Sequence, residues 1–177
     1  MGDVLTYFDS LTASMTWLGS QPDTIFIGQS VAYPGNALYK TLEGVPMEKR
    51  LEFPVAEDCQ LGVSIGLAMM GKTVISIYPR MDFLLCALNQ LVNHLDKNLY
   101  PLKGKVIIRT CIGATKPLHP GVQHCGDYTE GIVAMLKNSH IVSLAFPSMV
   151  MDYYKMAYQD CQQKNWLIIE EADLYAT

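Results

Sequence analysis

The chain has 177 residues, enough for one domain with a substantial hydrophobic core. Half of the residues are apolar and only 17% are charged, a composition that predicts that another chain covers part of the surface. The net charge is −4 without a basic run, so we expect no nucleic-acid partner.

The sequence shows no signal peptide and no apolar run long enough to span a bilayer, so no membrane association is expected. The five cysteines form no C-x-x-C pair, which favours neither a disulfide framework nor a zinc site. These features predict a cytoplasmic protein with reduced thiols and no metal ligands of its own.

Apolar periodicity and turn residues predict helices and strands that alternate along the chain. Helices are predicted at 4–18, 37–43, 57–71, 129–137 and 148–162, and a longer one begins with Asp82 as its N-cap and buries residues from Leu84 to Leu95. Strands are predicted at 24–28, 50–53, 73–78, 106–109, 141–145 and 167–170. The predicted fold class is therefore α/β: a single three-layer α/β/α domain over residues 1–177, with a mainly parallel, roughly six-stranded sheet.

The helix predicted after Pro54 is the most informative element. Between Leu61 and Met70 its only polar residue is Ser64, so we expect it to be buried on all sides. The helix nevertheless begins with two acidic residues, Glu57 and Asp58. Acidic residues commonly cap a first turn, but a carboxylate partly removed from water at such a position also suits acid–base chemistry. The pattern alone leaves both interpretations open.

Several polar or irregular segments directly follow predicted strands. They include Gln29, Glu57, residues 78–83 and a Gly/Pro-rich loop predicted at 110–128. Loops of that length in a compact domain are usually functional or mobile. Because ligands of parallel sheets bind beyond the carboxyl ends of the strands, we expect these segments to converge on one binding edge.

Three blocks of sequence resemble a known family. They are PVAEDCQLGVSIGLAMMG at 54–71, DFLLCALNQLVNH at 82–94 and GVQHCGDY at 121–128. In this order and spacing they resemble the pyrimidine-binding domain of thiamine diphosphate-dependent enzymes, in the transketolase-like superfamily. The chain looks most similar to the beta subunit of the 2-oxoacid dehydrogenase decarboxylase component, from about Thr24 to the closing IIEEADLY.

The resemblance implies roles for individual residues. Glu57 matches the glutamate that hydrogen-bonds N1′ of the cofactor's aminopyrimidine and activates the cofactor through proton exchange. Phe83 matches the aromatic residue that stacks on this ring, and Val55 matches an apolar residue of the same pocket. His124 matches a histidine that faces the reacting centre, in a catalytic or substrate-orienting role.

Two positions depart from the resembled beta subunits. Gln29 stands in the cofactor pocket where an acidic residue is common after the glycine that ends the first strand. Its neutral side chain favours C–C bond formation or cleavage over delivery to a lipoyl arm. Arg80 replaces part of a more aromatic segment and could meet an anionic group of a small-molecule substrate, although a solvated or salt-bridged arginine is the more common case.

The resemblance also implies a partner subunit. The chain lacks a GDG motif followed by a distant asparagine, the element that holds Mg²⁺ and the diphosphate in this family, and Gly126-Asp127-Tyr128 is not that motif. The further C-terminal domain of the resembled subunit is also not expected here. We therefore expect thiamine diphosphate as cofactor, with Mg²⁺ held by a separate subunit in an α2β2 heterotetramer.

Two functions of different classes remain open from the sequence. One is a split enzyme for 2-oxo acid decarboxylation or ketol/acyl transfer, and the other is a catalytically inactive structural or assembly subunit. The joint presence of Glu57, Phe83 and His124 favours the enzyme. A flavodoxin-like binding module is disfavoured, because no Gly-rich phosphate loop follows the first strand.

Overall fold

The computed structural model describes residues 5–97, 99–113, 115, 119–162 and 164–176. Six parallel strands form one sheet in the order β2-β1-β3-β4-β6-β5. The strands are β1 (Thr24–Gly28), β2 (Arg50–Glu52), β3 (Thr73–Ile77), β4 (Lys105–Ile112), β5 (His140–Leu144) and β6 (Trp166–Glu171). The predicted six-stranded parallel sheet is confirmed.

Helices cover both faces of this sheet. They are α1 (Tyr7–Ser20), α2 (Ala37–Lys40), α3 (Glu57–Met69), α4 (Met81–Leu84), α5 (Thr129–Met135) and α6 (Pro147–Gln159). Ile107 and Ile168 belong to the core cluster that contains α1 and α6. Their chain neighbours Ile108 and Ile169 belong to the cluster that contains α3 and α5. Because side chains alternate along a strand, this division confirms the predicted three-layer α/β/α fold.

The prediction that α3 is buried on all sides is wrong for this chain. Leu61 and Ser64 are fully buried, but Val63 is 36% exposed and Met70, just past the helix end, is 79% exposed. Cys59 and Gly66 are exposed as well, so a largely apolar side of the helix faces outward. The sheet covers one side of α3, and sequence composition cannot distinguish a side covered by the same chain from one left uncovered.

The long helix predicted from Asp82 is also corrected. After α4 come a 3₁₀ turn (Leu85–Ala87) and a π-helix (Asn89–Asp96). Leu84 and Leu91 are at most 1% exposed, so the leucine spacing did identify the buried side. It did not identify the helix type, because in each of the three types residues about one turn apart lie on the same side.

Asp82 does not cap this helix. Arg80 occupies the N-cap position, and Asp82 lies in the first turn. The Asp82 carboxylate instead accepts hydrogen bonds from the Gly126 N–H at 3.2 Å and the Tyr128 hydroxyl at 3.4 Å. Asp82 therefore attaches the segment around His124 to the start of α4.

The loop predicted at 110–128 is shorter than expected. Strand β4 continues to Ile112, and a 3₁₀ turn (Val122–His124) lies within the remaining segment. Residues 114 and 116–118 of the predicted loop lie outside the described residues.

A fully buried ion pair joins β4 to β6. Arg109 donates from Nε and Nη2 to the Glu170 carboxylate at 2.7 and 3.0 Å, and both side chains are 0% exposed. The Tyr154 hydroxyl donates to Glu170 at 2.5 Å, Tyr175 donates to the same carboxylate, and Arg109 donates to Thr41 at 2.8 Å. Burial alone would lower the pKa of Arg109, but the Glu170 carboxylate raises it above its ordinary value. Arg109 therefore stays a cation, and its two hydrogen bonds to Glu170 fix two central strands behind the candidate site.

The described part of the chain contains no helix that is both long enough and apolar enough to cross a membrane.

Candidate functional site

A cavity of about 790 Å³ lies at the carboxyl ends of the strands. Its wall includes Gln29 directly after β1, Arg80 shortly after β3, Cys111 near the end of β4 and Ala172 after β6. Parallel strands bring these positions to one edge of the sheet because their carboxyl ends all point the same way. This is the edge at which the sequence predicted convergence.

Four of the predicted site residues line this cavity: Gln29, Arg80, Phe83 and His124. The rings of Phe83 and His124 meet edge to face, with centroids 5.5 Å apart and an interplanar angle of 89°. The 3₁₀ turn that carries His124 therefore packs on α4, which carries Phe83. The prediction that these residues lie together is confirmed, and their roles in catalysis or binding remain predictions.

Glu57 lies behind the cavity wall and is hydrogen-bonded to Gln29, which lines the cavity. It is the first residue of α3, is only 8% exposed and does not itself line the cavity. The Gln29 side-chain Nε2 donates to Glu57 Oε1 at 2.8 Å. Within the described ranges no hydrogen bond reaches the other carboxyl oxygen, Oε2. Glu57 is thus a buried carboxyl group with one oxygen held and one available, which fits the ring nitrogen of an aminopyrimidine.

Val55 does not join this group. Its side chain is 79% exposed, and Val55 is not among the residues that line the cavity. Val55 could line a cofactor pocket only if another chain covered it, because the described residues of this chain leave it exposed.

Sequence reasoning missed Glu52, the last residue of β2. Its carboxylate accepts hydrogen bonds from the backbone N–H groups of Ser30 at 2.6 Å, Val31 at 2.9 Å and Ala32 at 2.8 Å. Ser30 has a positive φ of 56°, which is uncommon for a residue with a side chain. Glu52 therefore holds the turn that follows Gln29. The sequence carries no signal for this contact, because it depends on β2 lying beside β1.

Two further cavity residues were not predicted. Lys40, at the end of α2, and Tyr175, near the end of the described chain, both line the cavity. Lys40 and Arg80 are the charged side chains in the wall that the structure describes. Neither forms an ion pair with another described residue, so both cations remain available to an anionic ligand.

The thiol of Cys111 also lines the cavity and is 4% exposed. It donates to the Pro79 carbonyl oxygen at 2.9 Å. Burial, together with the nearby Glu170 charge, raises the pKa of Cys111 to about 12. Because the thiolate is the nucleophilic form, this cysteine is not expected to act as a nucleophile near neutral pH.

Cys111 should therefore resist alkylation by iodoacetamide in the native chain at about pH 8. The exposed thiols of Cys59, Cys86 and Cys161 should be modified under the same conditions. Peptide mass spectrometry after a short reaction gives the labelled fraction at each site. Labelling in denaturant is the control, and native labelling of Cys111 as fast as of Cys86 would contradict the burial of this thiol.

Among the residues that the structure describes, no group of three or more His, Cys, Asp or Glu side chains is placed to hold a metal ion.

The fold of the chain is similar to that of a solved transketolase subunit. A solved structure described as "Split gene transketolase, inactive beta4 tetramer" is similar over 94% of this chain and 51% of its own, with a TM-score of 0.70 and 16% identity. No protein-family model matches the sequence.

Two curated proteins are similar in sequence. The chain is 24% identical over 157 residues to 2-oxoisovalerate dehydrogenase subunit beta of Bacillus subtilis (strain 168). It is 30% identical over 109 residues to pyruvate dehydrogenase E1 component subunit beta of Cyanidium caldarium. The matches cover 84% and 57% of this chain but 46% and 33% of the relatives, so the chain spans less than half of their length. The resemblance inferred from the three sequence blocks is confirmed, at low sequence identity.

Proposed function

We propose that this chain is the pyrimidine-binding subunit of a split thiamine diphosphate-dependent enzyme that cleaves or forms a C–C bond next to a carbonyl group. The observation that carries the proposal is the Glu57 carboxyl group, 8% exposed at the start of α3, with Oε1 held by Gln29. The similarity to beta subunits of 2-oxoacid dehydrogenases supports it.

Glu57 would hold N1′ of the aminopyrimidine through its available oxygen and exchange a proton at that atom. When bound, thiamine diphosphate supplies the carbon that adds to the substrate carbonyl. Phe83 lines the same cavity as Gln29 and would offer an apolar ring surface to the pyrimidine.

His124 and Arg80 would contact the substrate. His124 packs against Phe83, so its imidazole can orient a substrate oxygen or carry a proton near the cofactor ring. The positive charge of Arg80 and Lys40 suits a small molecule with a carboxylate or phosphate group. The neutral Gln29 favours ketol or acyl transfer, or decarboxylation without a lipoyl acceptor.

The diphosphate and Mg²⁺ would be held by a separate subunit, in an α2β2 heterotetramer. The outward-facing apolar side of α3, with Val63 and Met70, supports an extensive contact with another chain. In this arrangement residues 1–177 act as one pyrimidine-binding domain. We place the enzyme in the cytoplasm, which agrees with the exposed thiols of Cys59, Cys86 and Cys161.

Cofactor binding tests the proposal. The chain is co-purified with a candidate partner that carries a GDG motif and a downstream asparagine, and thiamine diphosphate with Mg²⁺ is titrated by calorimetry. We expect binding to the complex, and Phe83→Ala should weaken it about tenfold because stacking is lost.

Phe146→Ala is the matched control, because Phe146 is 64% exposed and does not line the cavity. If the complex of this chain with its GDG-containing partner does not bind thiamine diphosphate, the proposal is refuted. Binding without turnover of any 2-oxo acid or ketose would favour the inactive assembly subunit instead.

A further inference from the structure

We infer that Gln29 is a positioning residue for Glu57. Its amide fixes the carboxyl group by donating to Oε1, and this leaves Oε2 to meet the cofactor ring. The inference rests on the proposed function and adds a role that is separate from direct contact between Gln29 and the cofactor.

The chemistry of the amide makes this hydrogen bond one-directional. Gln29 Nε2 donates and neither gains nor loses a proton near neutral pH, so Glu57 Oε1 is the acceptor in this hydrogen bond. A carboxylate at position 29 would place two acceptors face to face, and the pair would have to share one proton. With Gln29 in place no second carboxylate shares a proton with Glu57. A proton that Glu57 exchanges is therefore bound and released at Oε2.

The backbone around Gln29 is held in turn. Asn36 Nδ2 donates to the Gln29 carbonyl oxygen at 3.3 Å, and the Glu52 carboxylate holds the next three backbone N–H groups. On the other side Gly28 ends β1, where an added Cβ would lie 2.5 Å from the Ile77 carbonyl oxygen. Glycine thus permits the close pairing of β1 and β3. These contacts fix the backbone from which the Gln29 side chain reaches Glu57.

Other titratable groups near Glu57 do not take over the role of Gln29. The Tyr78 hydroxyl donates to the main-chain oxygen of Glu57 at 3.4 Å, and burial raises the pKa of Tyr78, so it stays neutral over the working range. Asp58 follows on α3 and accepts from Gln90 at 3.3 Å. No ion pair joins Arg80 to Glu57 within the described ranges. Gln29 is therefore the one donor to the Glu57 carboxyl group among the residues that the structure describes.

Two variants separate positioning from a structural role. Gln29→Leu removes the donor and should lower kcat about tenfold, with the Kd of thiamine diphosphate changed less than about threefold. Gln29→Glu keeps the length of the side chain but lacks the donor until the carboxyl pair takes up a proton. Its activity relative to the unmodified enzyme should rise as the pH falls below neutrality, because the protonated form can donate. The activity of Gln29→Leu relative to the unmodified enzyme should not change with pH, because leucine has no proton to gain.

A measurement without cofactor tests the hydrogen bond itself. In the free chain, the side-chain NH₂ protons of Gln29 should exchange with solvent more slowly by NMR than those of the exposed Gln162. Glu57→Ala should remove this protection. Gln162→Leu is the matched control for the kinetics and should match the unmodified enzyme.

Several outcomes would overturn the inference. The first is fast solvent exchange of the Gln29 side-chain NH₂ protons, and the second is full turnover of Gln29→Leu. The third is relative activity that does not change with pH for either Gln29→Leu or Gln29→Glu. The fourth is a tenfold loss of cofactor affinity in Gln29→Leu, which would mark Gln29 as a direct ligand. Each is distinct from failure of the proposed function. If Glu57→Gln is inactive while Gln29→Leu is fully active, only the positioning role is wrong.

Discussion

Replacing Glu57 with glutamine is expected to lower the turnover of the assembled enzyme by about a hundredfold to ten thousandfold, the range for loss of a general acid–base group. Binding of thiamine diphosphate should weaken by about tenfold or less. The reason for this split is that glutamine can still hydrogen-bond to the cofactor ring but cannot exchange a proton with it.

The surroundings of Glu57 make this substitution informative. The side-chain oxygen of a glutamine at position 57 can still accept from Gln29 Nε2, as Glu57 Oε1 does at 2.8 Å. Its NH₂ group then takes the place of Oε2 and can donate to a ring nitrogen. The substitution therefore preserves shape and hydrogen bonding, and a loss of turnover reports on the proton alone.

The measurement pairs calorimetric titration of the cofactor with initial rates on 2-oxo acids and ketoses. Asp58→Asn is the matched control, because Asp58 is the neighbouring carboxylate in the same helical turn and is exposed. It should retain activity close to that of the unmodified enzyme. Full turnover of Glu57→Gln would end the proposal that this residue activates the cofactor.

The second large effect concerns stability. Glu170→Leu should lower the free energy of unfolding by about 3–5 kcal/mol, because it leaves the Arg109 cation buried without a counter-charge. The hydroxyl groups of Tyr154 and Tyr175 would lose their acceptor in the same step. Arg109→Met should cost less, because both hydroxyl groups would still donate to the remaining Glu170 carboxylate.

Urea unfolding of the free chain, followed by circular dichroism, measures these differences. Glu48→Gln, a substitution of an exposed carboxylate, should change stability by less than about 0.5 kcal/mol. The sharper test is which of the two core variants, Glu170→Leu or Arg109→Met, loses more free energy of unfolding. If Arg109→Met proves more destabilising than Glu170→Leu, the hydroxyl groups of Tyr154 and Tyr175 do not stabilise a Glu170 carboxylate that has lost Arg109.

Local sequence determined most of the secondary structure. Apolar runs such as 24–28 and 73–77 form strands because their side chains are buried on both faces of a covered sheet. The acidic start of α3 was visible as well, because Glu57 and Asp58 stand shortly before the apolar helical run that begins at Leu61. Alternation of these elements was enough to predict the three layers and the edge where Gln29, Arg80, Phe83 and His124 meet.

Tertiary structure decided which side chains touch. Arg109 and Glu170 lie 61 residues apart, and Gln29 and Glu57 lie 28 apart, yet each pair is joined by a hydrogen bond of 2.8 Å or less. These contacts require β4 beside β6 and β1 between β2 and β3. No single segment of the sequence determines this strand order. For the same reason the exposed side of α3 could not be foreseen. Burial and pairing are set by neighbours brought together from distant parts of the chain, whereas helix and strand formation depends mainly on residues nearby in sequence.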